Sequence, residues 1–318
     1  MHGEFTHLRP RLLSAATVLS RWRVLRGVWQ GSRPHNAAVA AVSTTLGTWL
    51  SYASVRHEPF SVGVFDRGWH WGAPVCALLA VAAANLYNDA RDLAADRVNA
   101  PHRPIPQGLL SVRQAMIAAA GSAVLAGVCA TQLQGNARWL ALVAIVAGLA
   151  YSPMLKSTVL IGNAWVAGLS AATIALGALE VGPMTPEVWM AVVSLTLFVL
   201  AREILKSMAD QVGDAQAHLT SVATRLGVHG ASRLMLTVSV LCVLSLLAPL
   251  FVRRGHPYAV TSFVLVAVAG GVFPLATAWY LSARDLPREQ SAPRYQKALR
   301  LTKAGGLALL GAFGVLVA

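Results

Sequence analysis

About nine apolar stretches, each on the order of 20 residues and so long enough for a helix to cross a bilayer, follow one another along the 318-residue chain. They fall near 37–55, 70–88, 113–133, 137–154, 158–180, 186–204, 231–252, 257–281 and 301–318. Inside hydrocarbon no water satisfies backbone N–H and C=O groups, so segments of this length must close their hydrogen bonds internally, as helices do. With 56% hydrophobic and 12% charged residues, and a mean hydropathy of +0.57, an ordinary soluble domain is excluded. The expectation is an all-α polytopic protein of the lipid bilayer, with about nine transmembrane helices, the Ala and Gly content suiting close helix contact.

The net charge of +13 then reads as topology and not as nucleic-acid binding. With a cytoplasmic N-terminus, all but five of the 26 Lys and Arg (Arg56, Arg67, Arg138, Arg253 and Arg254) lie on the cytoplasmic side, as the positive-inside rule requires. Residues 1–35 are expected to be a basic cytoplasmic leader, and 36–318 a single transmembrane domain, since no Pro/Ser-rich linker divides it. Residues 282–300 read as a solvated cytoplasmic loop. Cys76, Cys129 and Cys242 lie within apolar stretches and read as small buried hydrophobes.

Acid is scarce, and it is clustered. Five of the seven aspartates lie in two runs, Asn85 to Asp96 and Arg202 to Asp214, each at the end of an apolar stretch where a carboxylate is costly unless something positive neutralises it. Asn85, Asp89, Asp92 and Asp96 step by four, three and four, on one face of a helix, with Asn88 flanking them. Arg202, Lys206, Asp210 and Asp214 step by four each time. Two sets of hard oxygen ligands facing each other suit Mg²⁺, which prefers one or two carboxylates, water and substrate phosphate oxygens to a closed protein cage. Lys156, Arg202 and Lys206 would offset the remaining phosphate charge.

These runs resemble those of the UbiA superfamily of intramembrane prenyltransferases. Asn88-Asp89-x-x-Asp92-x-x-x-Asp96 is similar to its first Asp-rich motif, and Asp210-x-x-x-Asp214, preceded by Lys206, to its second. Asn99-Ala-Pro-His-Arg103-Pro104-Ile-Pro106-Gln-Gly108 resembles the loop after the first motif. Tyr151-Ser152-Pro-Met-Leu-Lys156 with Gly162-Asn163 resembles the connection after the fourth helix, and Arg33-Pro34-His-Asn36 the entry to the first. The motif style is closest to the branch with digeranylgeranylglyceryl phosphate synthase and chlorophyll synthase. It departs from that branch at Ser207 and at Leu219-Thr-Ser-Val-Ala-Thr-Arg225. The resemblance implies a nine-helix bundle around a central cavity, Mg²⁺ dependence, a polyprenyl diphosphate donor and a small acceptor.

The expected chemistry follows. Asp89, Asp92, Asp96, Asp210 and Asp214 would hold Mg²⁺ on the donor's diphosphate, with Lys206 in the catalytic set, and the allylic carbon–oxygen bond would ionise. Asn85, Asn88, Arg103, Tyr151, Lys156 and Arg202 would line the diphosphate site, and Arg33, Asn36 and Asn163 would orient an acceptor. A ring such as Tyr87 or Tyr151 would face the cation. A terpene cyclase acting on the donor alone uses the same metal motifs, and a cation-coupled transporter is the remote alternative. A weak internal repeat is expected, with Asp89 to Asp210 offset by 121 residues and Asp96 to Asp214 by 118.

Overall fold

The computed structural model describes residues 15–56, 71–247 and 288–317, and every regular element among them is helical. Helices α2 (Pro34–Arg56), α3 (Gly72–Arg91), α5 (Val112–Gln132) and α6 (Gly135–Ala150) correspond to the first four apolar stretches. Helices α7 (Ile161–Val181), α8 (Pro186–Ala209), α10 (Val222–Leu246) and α11 (Arg288–Val317) take four more. The stretch at 257–281 lies outside the described residues, as do Arg67, Arg253 and Arg254. Five described helices are long and apolar enough to cross a membrane.

Helix is found in both the expected leader and the expected loop. The segment read as a basic leader carries α1 (Ala15–Gly31), which packs Val24 and Val28 beside Leu86 and Leu110 of the α3–α5 layer. The loop expected at 282–300 is instead helical from Arg288 onward. Its Tyr295, Ala298 and Leu299 are buried among α8 and α10 residues, and that apolar spacing of three and one pulls an otherwise charged segment onto the bundle.

Helix starts follow local chemistry. The Ser111 hydroxyl accepts from the Gln114 N–H and the Gln114 side chain accepts from the Ser111 N–H, a closed capping box at α5, and Ser221 with Thr224 repeats it at α10. At α8 the Thr185 hydroxyl accepts from the Val188 N–H, Pro186 takes the first turn and Glu187 sits on the positive end of the helix dipole.

The two halves carry matching features. Helices α2 and α7 cross at Gly47 and Gly177: a Cβ on Gly47 would run into the Ile174 carbonyl, and one on Gly177 into that of Thr44. The contacts are reciprocal, the same offset of 130 residues relating Thr44 to Ile174 and Gly47 to Gly177. Helix α3 breaks at Asp92 (φ −94°, ψ 7°) before the short α4 (Leu93–Asn99), and α8 breaks at Asp210 (φ −93°, ψ 0°) before α9 (Gln211–Gln216). Asp92 is therefore the counterpart of Asp210, with Asp96 that of Asp214. The pairing of Asp89 with Asp210 is not the one the backbone shows.

Candidate functional site

A break of one residue in each long helix turns the following acidic residue inward. As a result Asp92, Asp96, Asp210 and Asp214 line a single polar pocket of about 70 Å³ at the α3–α4 and α8–α9 junctions. Asn88, Arg103, Tyr151, Lys156, Asn163 and Lys206 share its wall, so both acidic runs do meet. Asp92 and Asp96 are buried, at 8% and 5% exposure, and each has a cation. Lys156 is ion-paired with Asp92. Arg103 Nη1 donates to Asp96 Oδ2 at 2.5 Å.

Asp89 behaves differently. It is 2% exposed, paired with Arg33 and within 3.3 Å of Arg103 Nη1, and it is absent from the pocket wall. The stripe read through Asn85, Asp89, Asp92 and Asp96 assumes one straight helix, but the axis changes at Asp92. Asp89 is the buried anchor for two arginines, and Asn88, one residue earlier and four before Asp92, faces the pocket. Asn88 Oδ1 accepts from the Ser152 hydroxyl at 2.6 Å.

The second pair is less neutralised. Among the described residues no ion pair reaches Asp210 or Asp214. Burial raises the carboxyl pKa of Asp210 above the usual range, and that of Asp96 too despite the pull of Arg103. Asp214 is pushed up to about 6, by burial first and then by the Asp210 charge. Lys206 lies 3.7 Å from Glu203 Oε2, while Glu203 Oε1 takes Arg202 Nη1 at 2.9 Å. Glu203 is buried at 7% exposure, so one carboxylate holds both cations in place.

The fourth-helix connection contributes through its backbone. A π-turn over Tyr151–Leu155 ends α6, with the Lys156 N–H donating to the Tyr151 carbonyl at 3.0 Å. That wider turn, frequent at functional sites, lets Tyr151 and Lys156 face the same pocket.

Beside the polar pocket lies a larger, mainly apolar chamber of about 480 Å³ between α2, α3, α6, α7, α8 and α11. Asn88, Tyr151, Glu203 and Lys206 line both spaces, so the two communicate. Several expected site residues belong to the chamber instead of the polar pocket: Arg33, Asn36, Asn85 and Arg202. Asn85 Nδ2 donates to the Ser32 carbonyl at 3.1 Å, tying α3 to the α1–α2 connection. Asn163, grouped with Asn36 in the sequence reading, stands on the polar wall. Tyr87 lines neither space and packs with Leu86 and Leu110, leaving Tyr151 as the ring between pocket and chamber. Residue spacing alone assigns no role to Glu203, Ser152 or Asn99, although Glu203 stands out in the sequence as an acid one turn before Lys206.

The described residues hold no ready-made group of three His, Cys, Asp or Glu side chains suited to a metal. Two carboxylates from each half, an amide oxygen at Asn88 and open space between them fit Mg²⁺ shared with a substrate's phosphate oxygens.

Residues 40–294 match the model of the UbiA prenyltransferase family. Digeranylgeranylglyceryl phosphate synthase of Methanopyrus kandleri is 33% identical over 260 residues, covering 80% of this chain and 91% of that protein. A solved structure described as giving insights into the biosynthesis of digeranylgeranylglyceryl phosphate synthase in membranes superposes with a TM-score of 0.68 at 19% identity, over 92% of this chain and 99% of the other. A UbiA homolog from Archaeoglobus fulgidus bound to GPP and Mg²⁺ superposes with a TM-score of 0.60 at 17% identity, over 91% of this chain and 99% of the other.

Proposed function

The chain belongs to the UbiA prenyltransferase family, and from that premise we propose that it transfers a prenyl group from a polyprenyl diphosphate to a small nucleophile, aromatic or other, within the membrane. The observation that carries this reading is the junction of the two cavities. A polar pocket walled by four carboxylates opens, past Asn88, Tyr151, Glu203 and Lys206, into a mainly apolar chamber. A diphosphate with an apolar tail has the same two parts in the same order.

In this reading Asp92, Asp96, Asp210 and Asp214, which line the polar pocket, hold Mg²⁺, a metal that accompanies GPP in the Archaeoglobus homolog's complex. The bound metal supplies Lewis-acid stabilisation of charge building on the leaving diphosphate. Lys206, steadied by Glu203, and Lys156 place fixed positive charge beside the leaving group in a site shielded from bulk water. The ring of Tyr151 stands where the allylic carbon emerges into the chamber and offers its face to the cation. The acceptor approaches from the chamber side, where Arg33 and Asn36 provide polar contacts. The full bundle is read as nine transmembrane helices with both acidic junctions cytoplasmic, following the distribution of Lys and Arg. The carboxylates sit at helix ends and not in a helix broken at mid-membrane, which speaks against a transporter.

The test is product analysis with purified protein in liposomes, supplied with Mg²⁺, labelled prenyl diphosphates of several chain lengths and a panel of nucleophiles. Transfer product that depends on the nucleophile supports the reading. A cyclic hydrocarbon or alcohol formed without any nucleophile would move the assignment to a cyclase.

A further inference from the structure

The two acidic pairs arrive on separate halves of the molecule, and α4 and α9, with 7 and 6 residues, are too short to hold a helical conformation alone. Like charges on opposite walls also push those walls apart. Something must therefore set the gap between them. Lys156 and Arg103 neutralise only the first pair.

One side chain spans the gap. Asn99, the last residue of α4, donates from Nδ2 to the Asp210 carbonyl at 3.0 Å and accepts at Oδ1 from the Gly213 N–H at 3.0 Å. Both partners belong to the opposite half: Asp210 is where α8 breaks, and Gly213 immediately precedes Asp214. A single planar amide thus uses its donor and its acceptor on two backbone groups of one turn, a geometry that fixes both distance and orientation. Asn99 is also three residues beyond Asp96, so Asp96 and Asp214 are linked through α4, the amide and one peptide unit. Gly213 is required by the approach: a Cβ there would overlap the Asn99 amide itself.

We propose that Asn99 is a positioning residue, a strap between the two halves that sets the separation of the Asp92–Asp96 and Asp210–Asp214 pairs and thereby the affinity for Mg²⁺ and diphosphate. The proposal rests on the reading of these four carboxylates as metal ligands. Asn99 supports the ligands from behind, the kind of contact whose loss costs about 10–100-fold in metal affinity.

The measurement is thermal stabilisation of the purified full-length protein by Mg²⁺ with inorganic diphosphate, titrated in wild type, Asn99→Ala, Gly213→Ala and the double variant. Asn99→Ala is expected to raise the Mg²⁺ concentration at half-effect by about tenfold or more. Gly213→Ala, which leaves every carboxylate and backbone donor in place, is expected to raise it similarly by displacing the amide. In the Asn99→Ala background the amide that the added methyl would meet is gone, so Gly213→Ala should cost little further, a non-additive cycle. A residue needed only for folding would lower the melting temperature and leave the Mg²⁺ midpoint alone. Folded Asn99→Ala or Gly213→Ala protein with the wild-type midpoint overturns the strap, as does a Gly213→Ala penalty equal in both backgrounds. Failure of wild type itself to respond to Mg²⁺ with diphosphate overturns the metal pocket, and the strap with it.

Discussion

Lys156 and Asp92 form an ion pair between the turn that follows α6 and the point where α3 breaks. The pair means that a cation already occupies the carboxylate at which Mg²⁺ is proposed to bind. Asp92 is buried at 8% exposure, so removing its partner leaves a charge with little solvent to stabilise it.

Lys156→Met should therefore divide two affinities. Without substrate the variant is expected to be less stable by about 1–3 kcal/mol and to bind Mg²⁺ alone more tightly, because the metal no longer competes with an ammonium. With Mg²⁺ present it should bind inorganic diphosphate more weakly, having lost a positive contact. Calorimetric titration of each ligand in turn checks the opposite signs. Weaker binding of both would show that Lys156 only holds the turn in place.

The pH dependence has a definite sign. Asp214 lies beyond the end of α8, and its carboxyl is held at about 6, above the ordinary value of 3.8. A carboxyl raised on folding is more easily protonated in the folded chain. The metal-free protein should thus gain stability as pH falls through about 6, the gain continuing until pH reaches the ordinary carboxyl value of 3.8. Mg²⁺ needs the ionised form, so stabilisation by Mg²⁺ and diphosphate should shrink over the same interval. Melting curves at pH 5, 6 and 7, with and without metal, separate the two trends.

Chamber volume should limit the donor tail. Ala144 and Gly148 of α6 line the chamber and are remote from the carboxylates in sequence. Ala144→Phe is expected to shift preference towards shorter prenyl diphosphates while leaving the Mg²⁺ requirement unchanged. Turnover against chain length checks this. An unaltered chain-length profile would place the tail elsewhere.

Much of this arrangement was legible in the sequence because hydrocarbon is an unforgiving solvent. A helix that must satisfy its own backbone needs a long apolar run, and a carboxylate at its end needs a reason. The runs and the two Asp-x-x-x-Asp spacings therefore stand out. What spacing could not reveal is a change of axis. The stripe from Asn85 to Asp96 treats α3 and α4 as one helix, whereas the helix breaks at Asp92 and the α3 face on the pocket is that of Asn88 and Asp92, four residues apart, and not that of Asp89. The same break hid the true counterpart of Asp210. The π-turn at Tyr151 leaves no periodic mark, yet it brings Tyr151 and Lys156 together. Only 301–318 of helix α11 stands out as apolar in the sequence, because Arg288 to Arg300 is rich in charge and its apolar face is only a few residues wide.

Topology follows from the basic residues. Single cysteines in 99–108 and 215–228 should label only from the cytoplasmic side, and a cysteine in 56–67 only from the opposite side. Labelling of the two acidic-motif loops from different faces would contradict the shared pocket.

The central claim is that the two Asp pairs form one metal-dependent site for prenyl diphosphate ionisation. Its most direct measurement is the turnover of a labelled prenyl diphosphate by wild type, Asp92→Ala and Asp214→Ala over a Mg²⁺ titration, each variant first shown to be folded and inserted. The account predicts that wild type is active only with Mg²⁺, that a chelator abolishes activity reversibly, and that either substitution removes several kcal/mol of transition-state stabilisation, on the order of a thousandfold in rate or more. Near-normal turnover by both variants at saturating Mg²⁺ would contradict it.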